Sequence, residues 1–260
     1  MMTEPHEDRY FVPGLERGLR LLQAFTPQRP HMTLGELADN LGVTKSSVFR
    51  VAYTLAQMGF LHHDQSARSY SLGPAVLSLG YGYLAGRDLI EIARPQLERL
   101  RDQTGWSAHL GILDGRDVVY LMRLPAHTGL VSIVHVGSRL PAHATTMGRV
   151  LLSGLSLQSL SALYKGAKIA RVKQSTPTRL PALVAQWTAD REKPVVMQIG
   201  GFEDGVVSVA AAVRDAAGRI VGAINVSTVA LKDAGETIDA DIIDRLKGAS
   251  QAISLSLGYR

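Results

Sequence analysis

The stretch that decides the fold runs from residue 33 to residue 58 and reads TLGELADNLGVTKSSVFRVAYTLAQM. Thr33 and Glu36 have the spacing of a capping box, in which each side chain binds the other residue's backbone N–H at a helix start. Leucines at helical spacing follow, so we predict a helix over Leu34–Leu41. Gly42 predicts where this helix stops, because glycine readily adopts the left-handed conformation that ends helices.

A second helix is predicted from Lys45 to Met58, with Thr44 as its N-cap. Its apolar residues have helical spacing and predict one buried stripe, formed by Val48, Val51, Ala52 and Leu55. Two helices joined by a short turn that contains glycine are typical of the helix-turn-helix unit. The alternative is a three-helix bundle that binds protein, or binds nothing.

The face of this helix that lies off the stripe is suited to DNA. In a helix-turn-helix unit the first residues of the second helix meet base edges in the major groove. Cations there neutralise phosphates, and small hydroxyls bind phosphates or bases. We therefore predict DNA contacts from Thr44, Lys45, Ser46, Ser47, Phe49, Arg50 and Tyr53.

The flanking residues predict a winged form of the unit. Upstream lies an amphipathic helix that ends before Pro27. Its inward stripe is predicted to consist of Leu15, Leu19, Leu22 and Phe25. Downstream, two short strands at residues 60–63 and 68–72 predict a hairpin in the position of a wing. Arg68 at its tip is predicted to reach a phosphate or the minor groove.

Bulk composition limits the class of protein. The 260 residues are 46% hydrophobic and 20% charged, which indicates folded domains rather than disorder. The net charge is +5, yet acidic and basic side chains are equal in number over residues 1–73, so the DNA prediction rests on the helix pattern. No apolar run is long enough to span a bilayer, and cysteine is absent. We expect a cytoplasmic protein without membrane contact, disulfides or thiol chemistry.

The chain resembles the IclR family of bacterial transcription regulators over nearly its whole length. In the head the likeness rests on GLERGLRLL at 14–22, LGELADNL at 34–41, KSSVFR at 45–50, GFL at 59–61 and YSLG at 70–73. Beyond the head it rests on GSRLPAHATTMGRVLL at 137–152, a block specific to the family, and on residues 205–215 and 218–227. The resemblance implies an α/β (α+β) protein with an N-terminal winged helix-turn-helix and a C-terminal GAF-like α/β effector-binding domain.

The resulting division has three parts. We predict a DNA-binding domain over residues 1–73, a linker helix over 74–87, and an effector-binding and oligomerisation domain over 88–260. In the last part the spacing of apolar residues predicts helices at 89–104, 157–163, 180–191 and 236–257. The resemblance of the block at 137–152 to the family implies a further helix at 145–152. It also predicts strands of a mostly antiparallel sheet at 108–113, 118–124, 131–136, 195–199, 206–214 and 220–227.

An effector pocket is expected where a helix start meets polar residues of the central strands. Helix N-termini attract anions, so a carboxylate is a natural guest. The helix start contributes Thr145, Thr146, Met147 and Gly148, whose missing side chain is expected to let a ligand approach. The resemblance further assigns effector contacts to Gln198, Ser208, Asn225 and Ser227. Many relatives have an acid where Gln198 stands. The alternative is that Ser208 and Asn225 bond only to each other or to water.

The opening PGLERGLRLL at 13–22 is most similar to the branch that controls aromatic-acid breakdown, including protocatechuate and 4-hydroxybenzoate regulators. The implied partners are a double-stranded DNA operator, a small organic acid of aromatic or short-chain type, and further copies of the chain in a homodimer or tetramer. RNA polymerase is kept as a further candidate partner. No cofactor is expected.

Two other functions stay open as alternatives. One is an enzyme with an accessory winged-helix head, although no nucleophile elbow, zinc-protease motif or phosphate loop occurs. Glu203 and Asp204 are expected in a solvated turn rather than in the pocket. The other is a constitutive DNA-binding protein. No metal site is predicted, because adjacent His62 and His63 on a strand point to opposite faces.

Overall fold

The computed structural model describes residues 10–79, 88–127, 134–229 and 238–260. These form two compact units, Met1–Gly86 and Arg87–Arg260, which are taken in turn. Residues 75–79 are helical, and the rest of the predicted linker helix, residues 80–87, lies outside the described residues. The predicted three-part division of the chain stays a prediction.

The first unit is a winged helix-turn-helix, as predicted. Its helices are α1 Pro13–Gln23, α2 Leu34–Leu41 and α3 Lys45–Gln57, and its strands are β1 Met32–Thr33, β2 Leu61–Asp64 and β3 Ser69–Leu72. The strands form an antiparallel sheet in the order β1-β3-β2. The capping box at the start of α2 is present. Gly42 ends that helix with φ +65°, a conformation that costs other residues more.

The predicted inward stripe of α1 is wrong in its first half. Leu15 and Leu19 are 63% and 50% exposed, whereas Leu21 is fully buried and Phe25 follows the helix into the core. The helix carries apolar residues on more than one face, and helical spacing alone does not say which face meets α2 and α3. On α3, by contrast, Val48 and Ala52 are buried as predicted.

The second unit has five helices and six strands among the residues that the structure describes. The helices are α4 Asp88–Thr104, α5 Thr146–Ser153, α6 Leu157–Tyr164, α7 Leu180–Arg191 and α8 Ala240–Ser256. The strands are β4 Ser107–Asp114, β5 Asp117–Leu124, β6 Arg139–Pro141, β7 Val196–Ile199, β8 Val206–Arg214 and β9 Ile220–Val229. All neighbours in the sheet are antiparallel, in the order β6-β5-β4-β9-β8-β7.

The sheet separates two hydrophobic cores. One core packs apolar residues of α4 and α8 against it, with Leu97, Ile224 and Leu246 fully buried. The other packs α5, α6 and α7, with Leu160 and Leu183 near its centre. Alternation along the strands therefore directs successive side chains into different cores.

The predicted strand at 131–136 is not observed in its described part, residues 134–136, and its first three residues lie outside the description. The strand that pairs with β5 is β6, formed by residues within the family block that periodicity did not mark as extended. The closing helix begins at Ala240; residues 230–237, which include the predicted start, also lie outside the described residues.

Candidate functional site

One face of α3 is open to solvent and carries most of the predicted DNA-contacting residues. Lys45, Ser46 and Arg50 are exposed, and the Phe49 and Tyr53 rings are 50% and 56% exposed. The two rings lie 6.3 Å apart. Cations, a hydroxyl and flat apolar surface on one helix face match the chemistry of phosphates, base edges and thymine methyl groups.

Thr44 and Ser47 are tied to the protein itself. The Thr44 hydroxyl accepts from the Ser47 N–H at 3.4 Å and so caps α3, and it lies 3.1 Å from the Ser46 hydroxyl. The half-buried Ser47 hydroxyl accepts from Arg17 Nη1 at 3.2 Å. Sequence reasoning did not link Arg17 of α1 to this helix, because the two residues are distant along the chain.

The wing has the predicted hairpin with a constrained tip. The Asp64 carboxylate accepts from the N–H groups of Ser66 and Ala67 at 2.9 and 3.0 Å. Arg68 follows with φ +50°, the one positive value at a non-glycine residue among those described, and its side chain is exposed. His63 stacks on Tyr70 with ring centroids 4.4 Å apart, so this histidine serves the hairpin.

A pocket of about 60 Å³ lies in the second unit, between the start of α5 and the sheet; we call it the central pocket. Seven of the eight predicted effector residues line it: Thr145, Thr146, Met147, Gln198, Ser208, Asn225 and Ser227. It is also lined by residues not predicted: His109, Tyr120, Val134, Leu140, Gly201, Phe202, Glu203 and Val206.

The start of α5 carries buried backbone N–H groups that the helix itself does not use. The Thr145 hydroxyl accepts from the Gly148 N–H at 3.1 Å and caps the helix. The backbone N–H groups of Thr146 and Met147 lie in the first turn, where no intrahelical acceptor precedes them. Both residues are buried, so their N–H groups sit in a medium of low dielectric, where an anion gains most from them.

Gly148 does not line the pocket. A Cβ on Gly148 would lie 2.2 Å from the Ala142 carbonyl oxygen, closer than any real contact. The glycine therefore lets α5 approach the preceding loop rather than a ligand, and the expected ligand approach at this position is wrong.

A chain of polar side chains crosses three central strands. The Asn225 amide nitrogen donates to the Ser208 hydroxyl at 2.8 Å, and its oxygen lies 3.1 Å from His109 Nδ1. His109 and Asn225 face each other across β4 and β9, whereas Asn225 is opposite Ala210 on β8. The bond between Ser208 and Asn225 was one of the alternatives open from the sequence, but the chain continues to a third residue.

His109 is a neutral side chain held in the sheet. It is 2% exposed, and its burial lowers its pKa to about 4, with a further lowering from the charge of Arg123 and an opposing effect of the Asn225 hydrogen bond. Tyr120 packs against it edge-on, with centroids 5.7 Å apart. In the sequence, His109 is one polar residue within the apolar run of β4. The hydrophobic period of a strand does not indicate whether such a residue has a function.

Gln198 is brought into the same wall by a glycine. A Cβ on Gly201 would lie 2.5 Å from the Gln198 amide nitrogen, so only glycine leaves room for this side chain. Glu203 is half-buried and lines the pocket, contrary to the expectation of a solvated turn. Asp204 is exposed as expected and pairs with Lys173 at 2.7 Å.

Within the described residues, no group of three or more histidine, aspartate and glutamate side chains could hold a metal ion. His127 binds Asp102 at 2.9 Å, and His135 is exposed. In the same part of the chain, no helix combines the length and apolarity that a bilayer crossing requires.

Two family models match the chain. The model described as IclR helix-turn-helix domain covers residues 14–65, and that described as Bacterial transcriptional regulator IclR C-terminal covers residues 81–255. The first match spans α1 to the wing, and the second includes all of the central pocket.

Curated relatives match over most of the chain. A Pca regulon regulatory protein of Pseudomonas putida is 35% identical over 85% of this chain and 76% of its own length. The HTH-type transcriptional regulator XynR of Escherichia coli is 29% identical over 95% of this chain and 98% of its own length.

Solved structures share the fold. One from Rhodococcus sp. RHA1 is 35% identical with a TM-score of 0.82, over 95% of this chain and 98% of that one. An IclR homologue of Microbacterium hydrocarbonoxydans, crystallised with 4-hydroxybenzoate, has a TM-score of 0.80 at 22% identity, over 94% of this chain and 98% of that one. The relatives are regulators rather than enzymes, which confirms the first of the three functions considered from the sequence. The chain belongs to the IclR family of bacterial transcriptional regulators, which bind DNA and respond to small effector molecules.

Proposed function

We propose that this regulator binds its operator through α3 and the wing, and that a small carboxylic acid in the central pocket controls that binding. The observation that carries the proposal is the central pocket itself, where a capped helix start and buried polar strand residues surround one space. A binding site and a DNA-contacting face on separate compact units are what an effector-responsive regulator needs. We infer that residues 74–87 form the linker between the two units.

On the DNA side we assign direct contacts to the exposed residues of α3. Lys45 and Arg50 neutralise phosphates, Ser46 hydrogen-bonds, and Phe49 and Tyr53 contact bases or sugars. Thr44 and Ser47 stabilise the start of α3 and also face the groove. Arg68 on the wing reaches a phosphate or the minor groove, since its exposed side chain starts from a constrained backbone.

On the effector side we assign binding to the residues of the central pocket named above, with the acid's carboxylate at the N–H groups of Thr146 and Met147. Gly148 shapes the helix position rather than touching the acid. A neutral amide at Gln198 favours a carboxylate guest, because an acid there would repel it. Glu203 is the one carboxylate among the described lining residues.

An aromatic carboxylate is the proposed class of effector. The Pca regulon regulator and the 4-hydroxybenzoate complex of the Microbacterium homologue support this class. The pocket of about 60 Å³ is smaller than the roughly 150 Å³ of cavities that admit benzene, so an aromatic guest requires a wall to move. A short hydroxy or keto acid is the alternative that fits the present shape more closely.

We further propose that the protein is a homodimer or tetramer in the cytoplasm. Apolar residues at the start of the first unit support self-association: Tyr10, Phe11, Val12, Leu15 and Leu19 are each at least half exposed. An exposed apolar patch of this kind marks an interaction surface. A dimer would present two copies of α3 to the two halves of a near-palindromic operator. If the protein activates transcription, RNA polymerase is a further partner.

The test is a thermal-shift screen of aromatic and short-chain carboxylates, followed by operator binding measured with each hit. We expect at least one acid to raise the melting temperature and to change operator affinity. Ser227→Ala, which alters the pocket wall, should weaken the binding of that acid. Its neighbour Thr228, absent from the wall, gives the matched control Thr228→Ala, which should not. Binding to operator that no acid alters would instead indicate a constitutive DNA-binding protein.

A further inference from the structure

The central pocket contains two buried acceptor atoms that the protein does not use. Among the described residues, His109 Nε2 and Gln198 Oε1 have no hydrogen-bond partner, and both residues line the pocket. A buried polar atom without a partner is unfavourable, because it has lost its hydrogen bonds to water. Two such atoms on residues that line one space indicate a ligand that donates hydrogen bonds.

The polar chain across the sheet fixes which ring nitrogen of His109 is the acceptor. The Asn225 amide nitrogen donates to Ser208, which leaves the amide oxygen facing His109 Nδ1. An amide oxygen only accepts, so Nδ1 must carry the hydrogen of this neutral ring. Nε2 is then the lone-pair nitrogen, a buried acceptor without a partner on a residue that lines the pocket.

We propose that the effector carries a hydroxyl group in addition to its carboxylate, and that His109 selects for it by accepting the hydroxyl hydrogen at Nε2. This inference rests on the proposed function, since it concerns the guest of the same pocket. It assigns a specificity role to a residue that neither the sequence pattern nor the relatives' names point to.

The charges around His109 favour a hydroxyl over a cationic donor. Arg123 lies near enough for its positive charge to lower the pKa of His109, and an ammonium group at Nε2 would meet the same repulsion. His109 is also 2% exposed, so a cation there would lose its hydration. A hydroxyl is neutral and donates one hydrogen, which is what the ring nitrogen lacks.

The pocket offers hydrogen-bond donors to one end of the guest and acceptors to the other. The start of α5 offers donors, which suit a carboxylate, while His109 Nε2 and Gln198 Oε1 offer acceptors. A guest without the hydroxyl would leave Nε2 unpaired and would therefore bind less tightly. We expect a discrimination of roughly tenfold to hundredfold, which corresponds to about 1.4–2.8 kcal/mol.

Glu203 is the competing acceptor for a hydroxyl, because its carboxylate also accepts hydrogen bonds and it lines the same pocket. It is half-buried rather than enclosed, so water satisfies it in the free protein at little cost. His109 differs in being shut off from solvent. Glu203 therefore supplies a matched control variant for His109.

The experiment compares matched acids by calorimetry on the full-length protein. The probes are 4-hydroxybenzoate, benzoate and 4-methoxybenzoate, with lactate and propanoate as a short-chain pair. The hydroxy acid of at least one set should bind roughly tenfold or more tightly than its partners. His109→Phe should bring the ratio of affinities close to one, whereas Glu203→Gln should retain it. A ratio, unlike a single affinity, is unaffected by a general loss of folded protein.

Acids that bind with no preference for the hydroxyl, or a preference that Glu203→Gln abolishes and His109→Phe retains, would overturn the role of His109 while leaving the proposed function intact. If no acid of either set binds or stabilises the protein, the proposed function fails, and the effector assignment fails with it.

A second measurement needs neither a ligand nor a variant. In protein with ¹⁵N-labelled histidine at pH 7, the His109 ring should show hydrogen on Nδ1 and a lone pair on Nε2. Hydrogen on Nε2 would contradict the inference, because the ring would then donate into the pocket and select an acceptor instead. This result stands by itself if His109→Phe does not fold.

Discussion

Arg149 of α5 and Asp190 of α7 form a two-pronged ion pair, in which Arg149 Nε and Nη2 donate to the two carboxylate oxygens at 2.7 and 2.6 Å. The Asp190 side chain is 1% exposed, and Lys193 lies 3.8 Å from one of its oxygens. The pair links the helix whose start forms the central pocket to the helix packed behind it. The position of Arg149 in the family block gave no indication that Asp190 is its partner.

Removal of one member should destabilise the second unit strongly. Arg149→Met leaves a buried carboxylate with only Lys193 nearby, so we expect a loss of about 3 kcal/mol in the free energy of unfolding in urea. Arg219→Met is the control: Arg219 makes a similar pair with Asp215 but is 78% exposed, so its loss should stay below about 1 kcal/mol. Equal losses in the two variants would show that burial of the ion pair does not determine how much stability is lost.

Two glycines should respond to alanine in opposite directions. In Gly148→Ala the new methyl group meets the Ala142 backbone, so we expect a destabilisation of about 1–3 kcal/mol or more. Gly248 lies inside α8 with open space at its Cβ position, so Gly248→Ala should stabilise by about 0.5–1 kcal/mol. Melting temperatures of the two variants and the wild type give the signs directly. A stable Gly148→Ala protein would contradict the close approach of α5 to the loop.

The salt dependence of operator binding should report the phosphate contact of Arg50. Arg50→Ala should weaken binding about tenfold and reduce the slope of log K against log salt by about one. Arg94→Ala removes an exposed arginine of α4 in the other unit and serves as the control. Its slope should match the wild type, and both variants should retain effector affinity. An unchanged slope in Arg50→Ala would exclude Arg50 from the phosphate contacts.

Acid should destabilise the second unit through His109. Its pKa is about 4 in the folded protein and near 6.5 when unfolded, so the unfolded chain takes up the proton first as the pH falls. The stability present above pH 6.5 is therefore lost between about pH 6.5 and 4, by about 2 kcal/mol from pH 7.5 to 5. Urea unfolding of wild type and His109→Phe at both pH values measures the difference. His135→Gln, at an exposed histidine, is the control and should lose as much stability as the wild type between the two pH values.

Much of the central pocket could be predicted from the sequence through its resemblance to a known family. The family block around Thr145 and the polar residues carried over onto β7, β8 and β9 named eight residues, seven of which lie in its wall. His109 escaped, since its partner Asn225 is 116 positions away and only the pairing of β4 with β9 joins them. Gly148 was misread, because a glycine in sequence does not show which neighbour occupies the space of its missing side chain.

The sequence by itself determined the helix-turn-helix and most of the helices and strands, since capping, turn residues and hydrophobic period act between neighbours along the chain. Only the tertiary structure decided which face of α1 is buried, that Arg149 pairs with Asp190, and that His109 lines the central pocket beside Asn225. These are contacts between distant segments. Their geometry depends on strand register and helix packing, which no local pattern encodes.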